Sequence, residues 1–113
     1  MVVKVGDFMK NIDKSIIKVI KEAVITVPGV SSFANYNPDD NHKLATANID
    51  NAVEFMTTDD FTRFRIHVIL ISGVNIKDVI NEVQIRVKYE LEKMSNFAAK
   101  YLVDVVVDDM LLN

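Results

Sequence analysis

The chain has 113 residues, half of them hydrophobic and 26% charged, with a formal net charge of −3. That balance supports a packed core, so a wholly disordered chain is excluded, and the length suits one domain over 1–113. The chain has no cysteine, which excludes disulfides, thiolate metal sites and a cysteine nucleophile. The mild negative charge gives no general attraction to nucleic acid or anionic lipid.

The start, Met1 to Asp7, has no apolar stretch of the kind a secretory signal needs. The longest unbroken apolar run is Val68-Ile69-Leu70-Ile71, far short of the roughly 20 residues of a membrane span. Any membrane role is therefore expected to run through a partner.

In chain order, Phe8, Ile12, Ile16, Val19, Ile20, Ala23, Val24 and Val27 recur at three- and four-residue steps. They predict an amphipathic helix with its lysines mostly on the other side. Asn11 and Asp13 are both candidate caps, and a start near Asp7 is an alternative. Pro28-Gly29 ends the helix. Residues 30–50 are harder to read. Val30 to Phe33 has the look of a short strand, Asn35 to Asn41 reads as loop, and Lys43 to Ile49 has weak strand character.

Val53-Glu54-Phe55, the turn-like Thr57 to Asp60, and the alternating run Phe61 to Ile71 predict a β-hairpin. Phe64, Ile66, Val68 and Leu70 share one face of that second strand. Arg63, Arg65, His67, Ile69 and Ile71 share the other. After Ser72-Gly73, Asn75 offers a helix cap. Ile76, Val79, Ile80, Val83, Val87, Leu91 and Met94 form a second helical stripe. Tyr101 to Val107 alternates as a last strand, with Tyr101, Val103, Val105 and Val107 on one face and Leu102, Asp104, Val106 and Asp108 on the other.

The expected architecture is α+β, in the order helix–hairpin–helix–strand. Two helices would lie on one face of a three- or four-stranded mixed sheet, as a two-layer sandwich with its core at about 13–108. The final crossover would make the last strand parallel to the hairpin's second strand.

Candidate chemistry is sparse. Asp39-Asp40-Asn41-His42 groups metal-compatible ligands, but Asp pairs recur at Asp59-Asp60 and Asp108-Asp109, which favours turn chemistry over a metal site. His67 has no nucleophile or carboxylate among its same-face sequence neighbours, so a structural role is expected. Arg63, Arg65 and His67 make a basic strand face, yet no exposed aromatic interleaves with them for base stacking. Glu54, Asp104 and Asp108 are counter-charges available to the same side, so a self-neutralised face is the expectation. Glycine-rich phosphate loops and the G-x-S-x-G nucleophile motif are absent from the sequence. Ile69, Ile71, Leu102 and Val106 should lie on the sheet side away from the helices. That side is either an association surface or is covered by residues 30–50 or by the Met110-Leu111-Leu112 tail.

Several strings carry a further signal. Val27-Pro28-Gly29-Val30 ends the first helix. The hairpin runs into Gly73-Val74-Asn75-Ile76, then Val79 and Asn81-Glu82-Val83-Gln84. Glu92-Lys93-Met94 stands near the second helix's end, and Val103-Asp104-Val105-Val106-Val107 follows. The chain resembles the bacterial alkaline-shock, or envelope stress response, protein family over roughly 13–108. It departs from the family pattern at Lys77, where proline is usual, at Ser31-Ser32-Phe33, where glycines are usual, and at Ser95-Asn96, where Thr-Gly is usual.

The resemblance implies a cytoplasmic, non-enzymatic envelope-stress protein that self-associates or docks to a partner, including a membrane-anchored one. It implies no catalytic residue, cofactor or metal. The expected function is therefore a scaffold or interaction protein using Ile69, Ile71, Leu102 and Val106. The alternative is an RNA- or nucleotide-binding module using Arg63, Arg65 and His67.

Overall fold

The computed structural model of the protein describes residues 14–36 and 44–111. They form helix α1 (Lys14–Ile25), strands β1 (Val30–Ala34) and β2 (Ala45–Thr46), a 3₁₀ turn (Ile49–Asn51), strands β3 (Val53–Thr57) and β4 (Thr62–Ile71), helix α2 (Ile76–Met94) and strand β5 (Tyr101–Leu111). The fold is α+β, with two helices and a five-stranded sheet. The predicted Phe8 and Ile12 part of the first stripe lies outside the described residues, as does the Asp39–His42 cluster.

The sheet is mixed. β1 pairs antiparallel with β2 and β4, β3 pairs antiparallel with β4, and β5 runs parallel to β4. β4 is the hub. Along one edge it carries β3 opposite Thr62–Ile66 and then β1 opposite Val68–Leu70. Between them the His67 N–H donates to the Ala52 carbonyl at 2.8 Å. β5 occupies the whole other edge.

The sheet has five strands, more than expected from sequence, because Val30–Ala34 and Ala45–Thr46 both join it. Isolated, these short segments have little strand preference, and β4 supplies the ladder that holds them. The Met110-Leu111 segment does not fold over the sheet as a tail; it continues β5.

Alternation along β4 sorts the two faces. Phe64, Ile66, Val68 and Leu70 enter one core cluster with Ile20, Ala23 and Val24 of α1 and Val79, Val83, Val87 and Leu91 of α2. Of the predicted α2 stripe, Val79, Val83, Val87 and Leu91 are buried, whereas Ile76 and Met94 at the helix ends are exposed. Asn75 caps that helix as predicted, its side chain accepting from the Asp78 N–H at 3.1 Å. Arg86 ties the helices' polar flank together by donating to the Thr26 carbonyl and hydroxyl, both at 2.9 Å.

Two local departures have clear causes. α1 stops at Ile25, and Gly29 turns the chain into β1 at φ +99°, a conformation that L side chains rarely adopt. In β5 the register shifts where Val68 faces Val107 but Ile69 faces Asp109. The bulge at Asp108 inverts the alternation, so Met110, not Asp109, packs against the core.

Candidate functional site

The sheet side that faces away from the helical core carries the predicted candidate residues. β3 contributes Glu54 and Met56, β4 contributes Arg63, Arg65, His67, Ile69 and Ile71, and β5 contributes Leu102, Asp104, Val106 and Asp108. Register places Arg65 opposite both Glu54 and Asp104, and His67 opposite Val106.

The face neutralises itself. Arg63 Nε donates to Asp104 Oδ2 at 2.7 Å. His67 sits between two carboxylates, with Nε2 2.7 Å from Glu54 Oε2 and Nδ1 2.8 Å from Asp108 Oδ2. A neutral imidazole donates to one of these and an imidazolium to both. The histidine is only 9% exposed, and its ring lies 5.7 Å from that of Tyr36. Burial, then the carboxylates of Glu54 and Asp50, push the Tyr36 hydroxyl above its ordinary pKa. Arg65 is exposed and has no ion-pair partner among the described residues.

His67 thus has the carboxylates that its sequence neighbours lack. They arrive from β3 and β5 and engage opposite nitrogens of the ring, with no hydroxyl nucleophile in the set. The two carboxylates therefore do not converge on a common point, and among the described residues no cluster is arranged to hold a metal ion. The arrangement can clamp three strands together; it does not form a hydrolytic triad.

Of the predicted association residues, Ile71, Leu102 and Val106 are half-buried. Ile69 requires correction: it is 2% exposed. It lies in register with Ser32 of β1 and Asp109 of β5, and at that exposure it is no part of an open association surface. On the face itself, Glu54, Met56, Arg63, Arg65 and Asp104 line an open pocket of about 170 Å³.

Three features escaped sequence reasoning. Met56 is 41% exposed on this face, and Tyr36 packs beside His67. The third is a separate patch on the outer side of α2, where Ile85 and Tyr89 are exposed and Phe97 follows at φ +62°. The Tyr89 and Phe97 rings are 6.0 Å apart, and Lys93 Nζ lies 5.5 Å from the Tyr89 ring centroid. The i, i+4 spacing of Ile85 and Tyr89, off the buried stripe, was the available signal.

With one arginine and the histidine already bound to carboxylates, the basic face offers nucleic acid little free charge, and the binding module predicted as the alternative has no support here. What remains is a small α+β domain with a neutralised, partly aliphatic sheet face and no catalytic constellation among the described residues. The chain belongs to the alkaline shock protein family, described as having a cell envelope-related function, whose model matches residues 6–112. Comparison with curated proteins and with solved structures gave no match. No helix among the described residues is long and apolar enough to cross a membrane.

Proposed function

We propose that this chain is a non-enzymatic scaffold or interaction protein of the cell envelope, acting by self-association or by docking to a partner protein. In this reading it is cytoplasmic and reaches the membrane through an anchored partner. The helices form one layer over the sheet, and the opposite face serves association through Ile71, Leu102, Val106 and Met56.

The observation that carries the reading is the engagement of Arg63 by Asp104 and of His67 by Glu54 and Asp108. A face on which Arg65 is the one charge left unpaired among the described residues loses less on desolvation than one with many free charges, so its aliphatic residues can drive contact. Apolar area contributes about 25 cal/mol per Å² removed from water.

The test compares wild type, Ile71→Ser and Arg63→Ala/Arg65→Ala by sedimentation equilibrium and by RNA binding at two salt concentrations. The expected result is assembly or partner binding weakened more by Ile71→Ser than by loss of the arginines. A monomer with arginine-dependent, salt-sensitive RNA binding overturns the proposal.

A further inference from the structure

Arg65 stands between two carboxylates that both bond elsewhere. Register sets it opposite Glu54 on β3 and Asp104 on β5. Asp104 accepts instead from Arg63, and Glu54 Oε2 lies 2.7 Å from His67 Nε2, each contact running diagonally across its strand pair. Arg65 is left with no ion pair among the described residues, although directly opposed side chains start from Cβ atoms only about 4.5–5.5 Å apart. Glu54 therefore has two partners in reach and uses one.

The proton count of His67 decides which. Both ring nitrogens lie within 2.8 Å of a carboxylate oxygen, so both contacts are hydrogen bonds only when both nitrogens carry a proton. A neutral ring turns one lone pair on a carboxylate, at a histidine that is buried, and such a contact is unfavourable. The observed arrangement is that of an imidazolium.

The remaining charged groups around the ring are engaged. Asp104 is held by Arg63, and Asp109, past the bulge, accepts from the Met110 N–H. The Tyr36 hydroxyl, raised by burial and then by Glu54 and Asp50, keeps its proton through the range in which histidine changes charge. Of the two carboxylates on the ring, Glu54 is the one able to leave. Its side chain is 35% exposed against 26% for Asp108, and Arg65 is opposite it. Asp108 sits in the bulge between the Val68–Val107 and Ile69–Asp109 pairs, where β4 offers no second cation.

We propose that His67 and Arg65 form a proton-driven switch in which Glu54 changes partner. With His67 as an imidazolium, the ring joins Glu54 to Asp108 and Arg65 is free. When the Nε2 proton leaves to solvent, the neutral ring keeps its Nδ1–H on Asp108 and Glu54 turns to the Arg65 guanidinium. Glu54 and Arg65 both line the open pocket on this face. Rising pH thus removes the one unpaired cation that the described residues offer there. The switch supplies a regulation for the docking face proposed above, and only that last consequence rests on the docking reading.

The test is NMR on the full chain from about pH 5 to about pH 9, which spans the ordinary charge change of histidine. Two-bond ¹⁵N correlations report the state of the ring, and His67→Gln assigns its signals. The lower end should show an imidazolium. The upper end should show the Nδ1–H tautomer, favoured at least about tenfold, the scale of one hydrogen bond to a charged group. Rotation of the Arg65 guanidinium, read by ¹³C-detected NMR, should be free at the lower end and hindered at the upper. Arg65→Ala removes the alternative partner and should bring the tautomer ratio of the neutral ring towards parity, whereas Arg65→Lys, which keeps the cation, should restore most of the preference. A ring already neutral at the lower end, an Nε2–H tautomer at the upper end, guanidinium rotation that does not change, or a tautomer ratio unmoved by Arg65→Ala overturns the proposal. None of these readouts involves a partner, so failure of the switch and failure of the docking reading are told apart.

Discussion

Asp104 stands in register with Arg65, yet it accepts its hydrogen bond from Arg63, two residues back along β4. Thus one arginine is bound, and its neighbour has no ion-pair partner among the described residues. Both arginines are exposed, and surface pairs contribute only about 0.2–1 kcal/mol. Arg63→Ala should cost no more than that, and Arg65→Ala should change stability by less than about 0.5 kcal/mol. Urea melts of the two variants and of Asp104→Ala, read as a double-mutant cycle, check the ranking.

His67 should matter more, because its carboxylate partners are partly shielded from water. His67→Leu leaves Glu54 and Asp108 facing an apolar side chain and should cost about 1.5–3 kcal/mol, the scale of hydrogen bonds to charged groups. Triple replacement by His67→Leu, Glu54→Gln and Asp108→Asn should recover part of the loss. Chemical denaturation reads both, and equal stability of wild type and His67→Leu would remove the clamp from the account.

Val83 is fully buried at the centre of the α2 stripe. Val83→Asp places an uncompensated carboxylate between helix and sheet and should cost about 3–5 kcal/mol. That is a large share of the roughly 5–15 kcal/mol that stabilises such a domain. A thermal melt matching wild type would contradict the face assigned to α2.

The two positive-φ glycines should respond differently to alanine. At Gly29, φ +99°, an added Cβ meets Val79 Cγ2 at 2.9 Å and Val74 Cγ1 at 3.2 Å. At Gly73, φ +95°, it meets nothing within 4 Å. Gly73→Ala carries backbone strain alone, about 1–3 kcal/mol. Gly29→Ala adds overpacking of a further ~1–3 kcal/mol. Paired denaturation curves test the order.

Tyr36 gives the expected alkaline dependence. Its hydroxyl is held above the ordinary value of 10.0, by burial first and by Glu54 and Asp50 second. The folded state therefore keeps this proton more firmly than the unfolded chain does. The resulting stabilisation is fully present below the unfolded tyrosine pKa and is lost as pH rises through the higher folded value. Tyr36→Phe should flatten the stability profile above about pH 10, measured by denaturation at stepped pH alongside phenolate absorbance.

The periodic elements were legible because each repeats its own signal. Phe64, Ile66, Val68 and Leu70 state the β4 alternation outright, and Val79, Val83, Val87 and Leu91 do the same for α2. β1 and β2 were legible only as short or weak strands, and their places in the sheet were not, since β1 is paired by β4 and β2 by β1. The neutralised face was legible in outline from Glu54, Asp104 and Asp108, but the His67 clamp joins residues 13 and 41 positions apart, which no local pattern encodes. The burial of Ile69 was not legible either, because alternation gives a side chain's face and not its exposure. The bulge at Asp108 left no trace, because Asp108-Asp109 reads equally well as a strand end.

The double engagement of β4 also sets an order of assembly. Its pairing with β3 closes through the short turn in which the Thr58 N–H donates to the Phe61 carbonyl at 2.8 Å, a local event on the scale of about 1–10 μs for a hairpin. β5 reaches the other edge only after the whole of α2 has been made and laid back across the sheet, a non-local closure and therefore a slower one. During synthesis β4 exists for a time with its β5-facing edge bare. Ile66, Val68 and Leu70 are then committed to a sheet that lacks its longest strand, and this nascent species is where the chain is most exposed to mispairing.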